Sequence, residues 1–203
     1  MSPDLSIDAP GRDALPVMLL GLGANVGDRA ANLREGLLRL ASDGAIRVEA
    51  VSGLWASAPL DADGGEFLNA AVRVRTALDP ATVLDRIKAV ESALGRTGSG
   101  GDPRPLDVDI LYCGAQVREG DRLRLPHPRR LERAFVLAPL AEVCGDAADP
   151  QAMRPVAELA RDRLPGLTNA ARRVAGPEWY APPATGNRHA MDAGPAGQKG
   201  AIR

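Results

Sequence analysis

The strongest constraint on this chain is the order in which two hydrophobic periods alternate along it. Val17–Gly23 (VMLLGLG) is a short apolar run closed by glycines, which has the length and flanks of a buried strand. Leu33, Leu37, Leu38 and Leu40 then recur at helical spacing, with Asp28 at the N-cap position and Asp43-Gly44 closing the helix. Ile46–Ser57 alternates as a strand, Leu60–Gly65 is an Asp- and Gly-rich loop, and Phe67–Ala77 alternates again, with Val72 and Val74 against Arg73 and Arg75. Asp79-Pro80 opens a second helix, with proline at the first helical position, and its apolar residues run from Val83 to Leu94. After the glycine-rich loop Thr97–Pro103, Leu106–Tyr112 (LDVDILY) is a fourth alternating strand. The order β-α-β-β-α-β predicts the α+β class. It describes a ferredoxin-like βαββαβ sandwich, a mainly antiparallel sheet with two helices packed on one face. The C-terminal additions are a hairpin-like stretch to Leu125, an apolar buried segment Leu131–Leu140 and a helix over Met153–Leu164.

Composition narrows the function classes. At 203 residues, 45% hydrophobic and 25% charged, the chain reads as one soluble domain with tails. The domain is expected over residues 16–175, between a loose arm at 1–15 and a Pro/Gly/Ala-rich, disordered tail at 176–203. No run approaches 18 apolar residues, so no transmembrane helix is expected, and the first residues do not resemble a secretory signal. A formal charge of −1 argues against a dedicated nucleic-acid binder. Two cysteines without a CxxC spacing argue against a disulfide framework and a cysteine-rich zinc site, and suit a reducing cytoplasm. Two histidines, His127 and His189, exclude a multi-histidine metal site. Only Lys88 and Lys199 are lysines among 25 basic residues, and no P-loop pattern exists. Any phosphate handling falls to arginines, backbone amides and metal.

Several residues have the chemistry for that task. Asp107 and Asp109, two apart on a strand, project from one face about 6–7 Å apart at the backbone. Hard oxygen donors converging in this way suit Mg²⁺ and phosphates, although an isolated DxD is also a common solvated strand face. Arg96, Arg104, Arg122 and Arg133 bracket the same region in sequence, and guanidinium groups match phosphate oxygens; singly, each reads first as an ordinary surface arginine. His127 lies between two prolines and suits either a phosphate contact or a structural turn. Phe67 and Asn69 share a strand face, a pairing that can read a flat heterocycle, while both phenylalanines, Phe67 and Phe135, read first as ordinary core. The run Gly21-x-Gly23-x-Asn25-x-Gly27 reads first as a tight strand-to-helix turn and second as an anion cradle or one wall of a site.

Taken together, LGLGANVGDRAANL, EFLNAAV, ESALGR, PRPLDVDILYCG and LRLPHPRRLERAFVLAPLAEV resemble the 6-hydroxymethyl-7,8-dihydropterin pyrophosphokinase family of folate biosynthesis, in colinear order over residues 17–145. The resemblance implies a ferredoxin-like α/β sandwich. It also implies transfer of pyrophosphate from ATP to the pterin hydroxymethyl group, with release of AMP and with two Mg²⁺ bridging the triphosphate. By this resemblance Asp107 and Asp109 hold the metal, and Arg96 and Arg104 act with them in catalysis. Glu91, Arg104, Arg122, His127 and Arg133 fall on or near nucleotide and phosphate positions. Ser57, Leu60, Phe67, Asn69 and Phe135 fall on the pterin site. The partners implied are small molecules only, with no nucleic acid and no membrane, for a cytoplasmic monomer.

One segment departs from the family pattern. The loop after ESALGR reads TGSGGDPRP, without the tryptophan and the several basic residues usual there. A glycine-rich lid donates no charge, which implies slower turnover or a different pterin preference. Two other readings compete: a paralogue acting on another pterin, and a non-catalytic ferredoxin-like nucleotide or pterin sensor. RNA binding through the sheet fits poorly, because the chain is not basic and its strands lack aromatic pairs.

Overall fold

A computed structural model describes residues 15–59, 65–97, 102–145 and 147–181. The elements follow the predicted order: β1 (Val17–Ala24), α1 (Arg29–Leu40), β2 (Ile46–Val51), β3 (Leu54–Ser57), β4 (Phe67–Thr76), α2 (Pro80–Ala93) and β5 (Asp107–Cys113). Then come α3 (Ala134–Val143), a two-residue ladder of β6 (Ala148–Asp149) with β7 (Arg154–Pro155), α4 (Val156–Arg163) and β8 (Ala171–Ala175). The main sheet is antiparallel throughout and runs β5-β1-β4-β3-β8, with β2 also paired to β4. No helix among the described residues is long and apolar enough to cross a membrane.

Both long helices start where their caps dictate. The Asp28 carboxylate accepts the Ala31 N–H at 3.0 Å, and Asp79 accepts the Ala81 N–H at 2.8 Å ahead of Pro80. Leu33 and Leu37 of α1 and Val83 and Ile87 of α2 are fully buried against Leu20, Val72 and Val74. Each such leucine contributes about 1.5–3 kcal/mol. Where α1 passes Leu106, the close approach requires a glycine: a Cβ on Gly36 would lie 2.5 Å from a Leu106 methyl.

Four features differ from the expectations above. First, Ile46–Ser57 is two strands, broken at Ser52-Gly53. The Ser52 hydroxyl donates to the Gly53 carbonyl and accepts the Ala71 N–H. A Cβ on Gly53 would collide with the Ala175 carbonyl, so only glycine lets β8 close on β3. Second, the sheet is covered on both faces: α1 and α2 lie on one, α3 and α4 on the other, where Leu137, Leu140, Val156 and Leu159 pack on Leu19 and Leu111. The segment Leu131–Leu140 is apolar on nearly every side and so shows no helical period. Third, the hairpin-like stretch to Leu125 is closed by a single antiparallel bridge, Arg118 to Leu125, without a continuous ladder. Fourth, residues 176–181 are held rather than loose. The Trp179 indole donates to the Ser52 carbonyl at 2.8 Å and packs with Tyr180 against the α1/α2 core. The arm at 1–14 and the tail at 182–203 lie outside the described residues.

Candidate active site

The site forms on the α3 face of the sheet, at the end that α3 leaves uncovered. Strand register places Gly21 opposite both Asp109 and Ala71, and Gly23 opposite both Asp107 and Asn69. The two glycines are therefore the floor of the site and not a turn, which corrects the first reading of that run. A Cβ on Gly23 would stand 3.4 Å from Asn69 Oδ1 and 3.8 Å from the Phe67 ring. Of that run, Gly27 alone has positive φ, at 66°.

Above this floor lies a cleft of about 430 Å³. Ser57, Phe67, Asn69, Arg104, Asp107, Asp109, Arg133 and Phe135 all line it. Phe67 and Phe135 are only half-buried, so neither is an ordinary core ring. Each carries a guanidinium: Arg104 lies 6.0 Å from the Phe67 centroid, and Arg133 lies 5.7 Å from that of Phe135. The Asn69 amide donates to the Trp55 carbonyl at 3.2 Å and to the Ser57 hydroxyl at 3.1 Å. Its oxygen is thereby left as an acceptor facing the cleft floor. A second cleft, about 410 Å³, follows the free edge of β5, with Lys88, Asp109, Arg122 and His127 in its wall. Asp109 borders both clefts.

The charged groups are tightly ordered. Asp107 accepts Arg96 at 2.5 Å and Arg104 at 2.9 Å, so both oxygens of its carboxylate are engaged. Arg104 is fixed through its backbone as well: its N–H donates to the Asn25 side chain at 2.7 Å, and its carbonyl accepts the Asn25 N–H at 3.1 Å. Glu91 is buried and lines neither cleft. It accepts the Val108 N–H, Arg96 and Lys88, and so ties α2 to β5. Among the described residues, no group donates a hydrogen bond to the Asp109 carboxylate. Burial, reinforced by the Asp107 charge, raises its pKa above the ordinary carboxylate range. His127 is pushed down by burial, against the pull of Asp109. Arg122 is exposed and pairs with Asp85 at 2.6 Å. Leu60 and lid residues 98–101 lie outside the described residues.

The comparisons with known proteins decide the family. Residues 19–145 match the family model of 7,8-dihydro-6-hydroxymethylpterin-pyrophosphokinase. The chain belongs to this family. The chain is 40% identical over 130 residues to the 2-amino-4-hydroxy-6-hydroxymethyldihydropteridine pyrophosphokinase of Bacillus subtilis, covering 63% of this chain and 78% of that one. To the protein of that name in Methylorubrum extorquens it is 47% identical over 130 residues, covering 63% and 82%. It is 45% identical over 134 residues to a mitochondrial folate synthesis bifunctional protein of Arabidopsis thaliana, covering 65% of this chain and 24% of the plant protein. The chain thus spans about a quarter of that bifunctional relative. In fold it is similar to the crystal structure of Plasmodium falciparum HPPK-DHPS wild type with pteroate, at TM-score 0.60 and 13% identity, over 73% of this chain and 44% of that one.

Pyrophosphate transfer from ATP to hydroxymethyldihydropterin, in folate biosynthesis, is the reaction of the pyrophosphokinase family. The donor set fits a small hard cation. Among the described residues no cluster of three or more His, Cys, Asp or Glu exists, so the chain offers the Asp107 and Asp109 carboxylates and leaves the other positions to substrate oxygens or water. That is the usual habit of Mg²⁺ rather than of zinc. Asp109, half-buried and without a hydrogen-bond donor, is the group a cation would satisfy. Three contributors were not evident from sequence. Asn25 grips Arg104, Arg129 lines the first cleft, and Lys88 lines the second. Asn25 alone had a sequence signal, since it stands at the end of the first strand, within the glycine run.

Proposed function

We propose that this chain transfers the β,γ-pyrophosphoryl group of ATP to 6-hydroxymethyl-7,8-dihydropterin. Phe67 and Phe135 sandwich the pterin ring in the first cleft, where the Asn69 oxygen accepts from a ring N–H and Ser57 orients the amide. The second cleft takes the nucleotide, with Arg122, Lys88 and His127 at its wall, and Glu91 fixes the β5 backbone beside it. The substrate hydroxyl oxygen bonds to the β-phosphorus, the bond from that phosphorus to the α,β-bridging oxygen breaks, and AMP leaves. The hydroxyl proton is released to solvent water as the new bond to phosphorus forms.

The observation that carries this reading is the position of Asp109, common to an aromatic cleft on one side and a basic cleft on the other. Two substrates bound in those clefts meet at one pair of carboxylates. Such a transfer needs alignment and charge neutralisation more than covalent help. Two Mg²⁺ held by Asp107 and Asp109 would supply neutralisation of the triphosphate oxygens. Arg96, Arg104 and Arg133 supply the rest from the protein, and triphosphate oxygens compete with Asp107 for the first two. Two buried cysteines, Cys113 and Cys144, suit a cytoplasmic setting, and the chain is read as a monomer acting on small molecules alone.

The test is AMP release from Mg-ATP with and without 6-hydroxymethyl-7,8-dihydropterin, for the wild type and Asp107→Ala. Pterin-dependent AMP formation is expected, falling on the order of 10²–10³-fold in the variant. AMP formation indifferent to pterin, or a fully active variant, refutes the assignment.

A further inference from the structure

A buried ionic cluster lies outside both clefts and outside every role assigned above. Asp149 on β6 is fully buried. Its carboxylate accepts Arg130 Nε at 2.6 Å, Arg130 Nη2 at 2.9 Å and the Tyr112 hydroxyl at 2.7 Å. The N–H groups of Gln151 and Ala152 add bonds at 2.9 and 2.8 Å. Arg130, also buried, uses Nη2 on Gln151 Oε1 at 2.9 Å as well, and aims Nη1 at the His127 carbonyl at 3.1 Å.

A buried ion pair is not by itself an argument for stability, since a well-packed apolar pair serves as well or better. The His127 carbonyl accepts the Arg130 backbone N–H at 3.2 Å, which any residue there would keep, and Nη1 at 3.1 Å, the second bond that an apolar pair cannot make. The other side of His127 is tied too: its N–H donates to the Leu111 carbonyl at 2.9 Å. That carbonyl belongs to the extra residue of β5, because Leu20 pairs with Ile110 while Leu19 pairs with Tyr112. The His127 ring is oriented as well, with Nδ1 accepting the Arg129 N–H at 3.2 Å. A neutral imidazole bonded in this way carries its proton on Nε2, the donor a phosphate oxygen needs.

We propose that Arg130 and Asp149 are positioning residues for the nucleotide: the pair clamps the His127 backbone and so sets the Nε2 donor in the wall of the second cleft. The proposal rests on the reading that His127 meets the nucleotide. Tyr112 completes the clamp from β5, so the strand that carries Asp107 and Asp109 and the loop that carries His127 share one anchor.

Two variants separate this role from bulk stability. Arg130→Met with Asp149→Leu removes both charges together. Arg130→Lys keeps the charge, but a compact ammonium cannot span Asp149 and the His127 carbonyl as the guanidinium fork does. The readouts are KM for ATP, KM for pterin, and the imidazole NMR signal of His127, with His189, the only other histidine, as reference. Both variants are expected to raise KM for ATP on the order of tenfold, the scale for groups that orient a ligating histidine, and to leave KM for pterin unchanged. The His127 signal moves and the His189 signal stays. If either folded variant keeps both the wild-type KM for ATP and the His127 signal, or if the two KM values rise together, the proposal is overturned. Should the double variant fail to fold, Arg130→Lys decides alone. His127→Ala tests the underlying reading: an unchanged KM for ATP there refutes the nucleotide role of His127, whereas the His127 signal of the Arg130 variants still reports whether the pair holds the loop.

Discussion

Tyr112→Phe removes one hydroxyl from a site where its worth can be bounded twice. The ring stays, and the deleted oxygen is the donor 2.7 Å from Asp149. A hydrogen bond to an ionised acceptor contributes about 1.5–3 kcal/mol. The pH dependence gives a second figure, net of the burial penalty. Burial alone would raise the Asp149 pKa, but the Arg130 guanidinium, the Ala152 N–H and the Tyr112 hydroxyl outweigh it and hold the group at about 2, against the ordinary 3.8. That gap, at about 1.4 kcal/mol per pH unit, is worth about 2 kcal/mol for the whole cluster. Because the folded-state pKa is depressed, this contribution is complete above pH 3.8 and is lost as pH falls from there through about 2. Burial also pushes the Tyr112 pKa far up, so its hydroxyl remains a donor across the range. Tyr112→Phe should therefore cost about 2 kcal/mol at pH 7, or about 4–8 °C in Tm for a domain of this size. Urea unfolding of both proteins from pH 7 to pH 2 should show a gap that is flat down to about pH 4 and narrows only toward pH 2. A gap under about 0.5 kcal/mol at pH 7, or one already gone by about pH 5, refutes the reasoning.

Two further outcomes follow from packing. Gly36→Ala gains about 1 kcal/mol in helix propensity, but its Cβ meets fully buried Leu106 at 2.5 Å, and overpacking costs about 1–3 kcal/mol. The net effect should be a lower Tm by thermal unfolding, and a rise in Tm would show that Leu106 moves aside freely. Trp179→Ala removes the bond to the Ser52 carbonyl and the indole's packing on the α1/α2 core. Hydrogen exchange should quicken over Ala171–Ala175 while the β1 amides keep their protection; uniform quickening of both would mean that the indole stabilises the whole domain rather than β8.

The parts of this fold that were legible in sequence are those governed by local period and caps. Leu33 and Leu37 mark a helix by spacing, Asp79-Pro80 marks a start, and Val108 and Ile110 against Asp107 and Asp109 mark a strand with one chemical face. The illegible parts depend on partners far along the chain. Nothing near Gly53 announces that the Ala175 carbonyl will press against it, and Trp179 sits in a segment whose Pro/Gly content reads as loose. Helix α3 hides because burial on most sides erases the period that would reveal it. The site follows the same division. Asp107, Asp109 and the Phe67/Asn69 pair were visible as face-sharing residues, whereas Arg130 and Asp149, 19 residues apart, have no local signal linking them.

The irregularity in β5 joins these two levels. In an unbroken strand Asp107, Asp109 and Leu111 would share one face, and Tyr112 would turn to the α1/α2 core with Val108 and Ile110. The extra residue at Leu111 returns Tyr112 to the α3 side, where it reaches Asp149, and leaves the Leu111 carbonyl to receive His127. A one-residue deletion there would restore ideal pairing with β1 and keep Tyr112 opposite Leu19 on the α3 side, but it would remove the carbonyl that receives the His127 N–H. Regular β geometry and the geometry of the second cleft are therefore in conflict at this point, and the chain has settled the conflict in favour of the cleft.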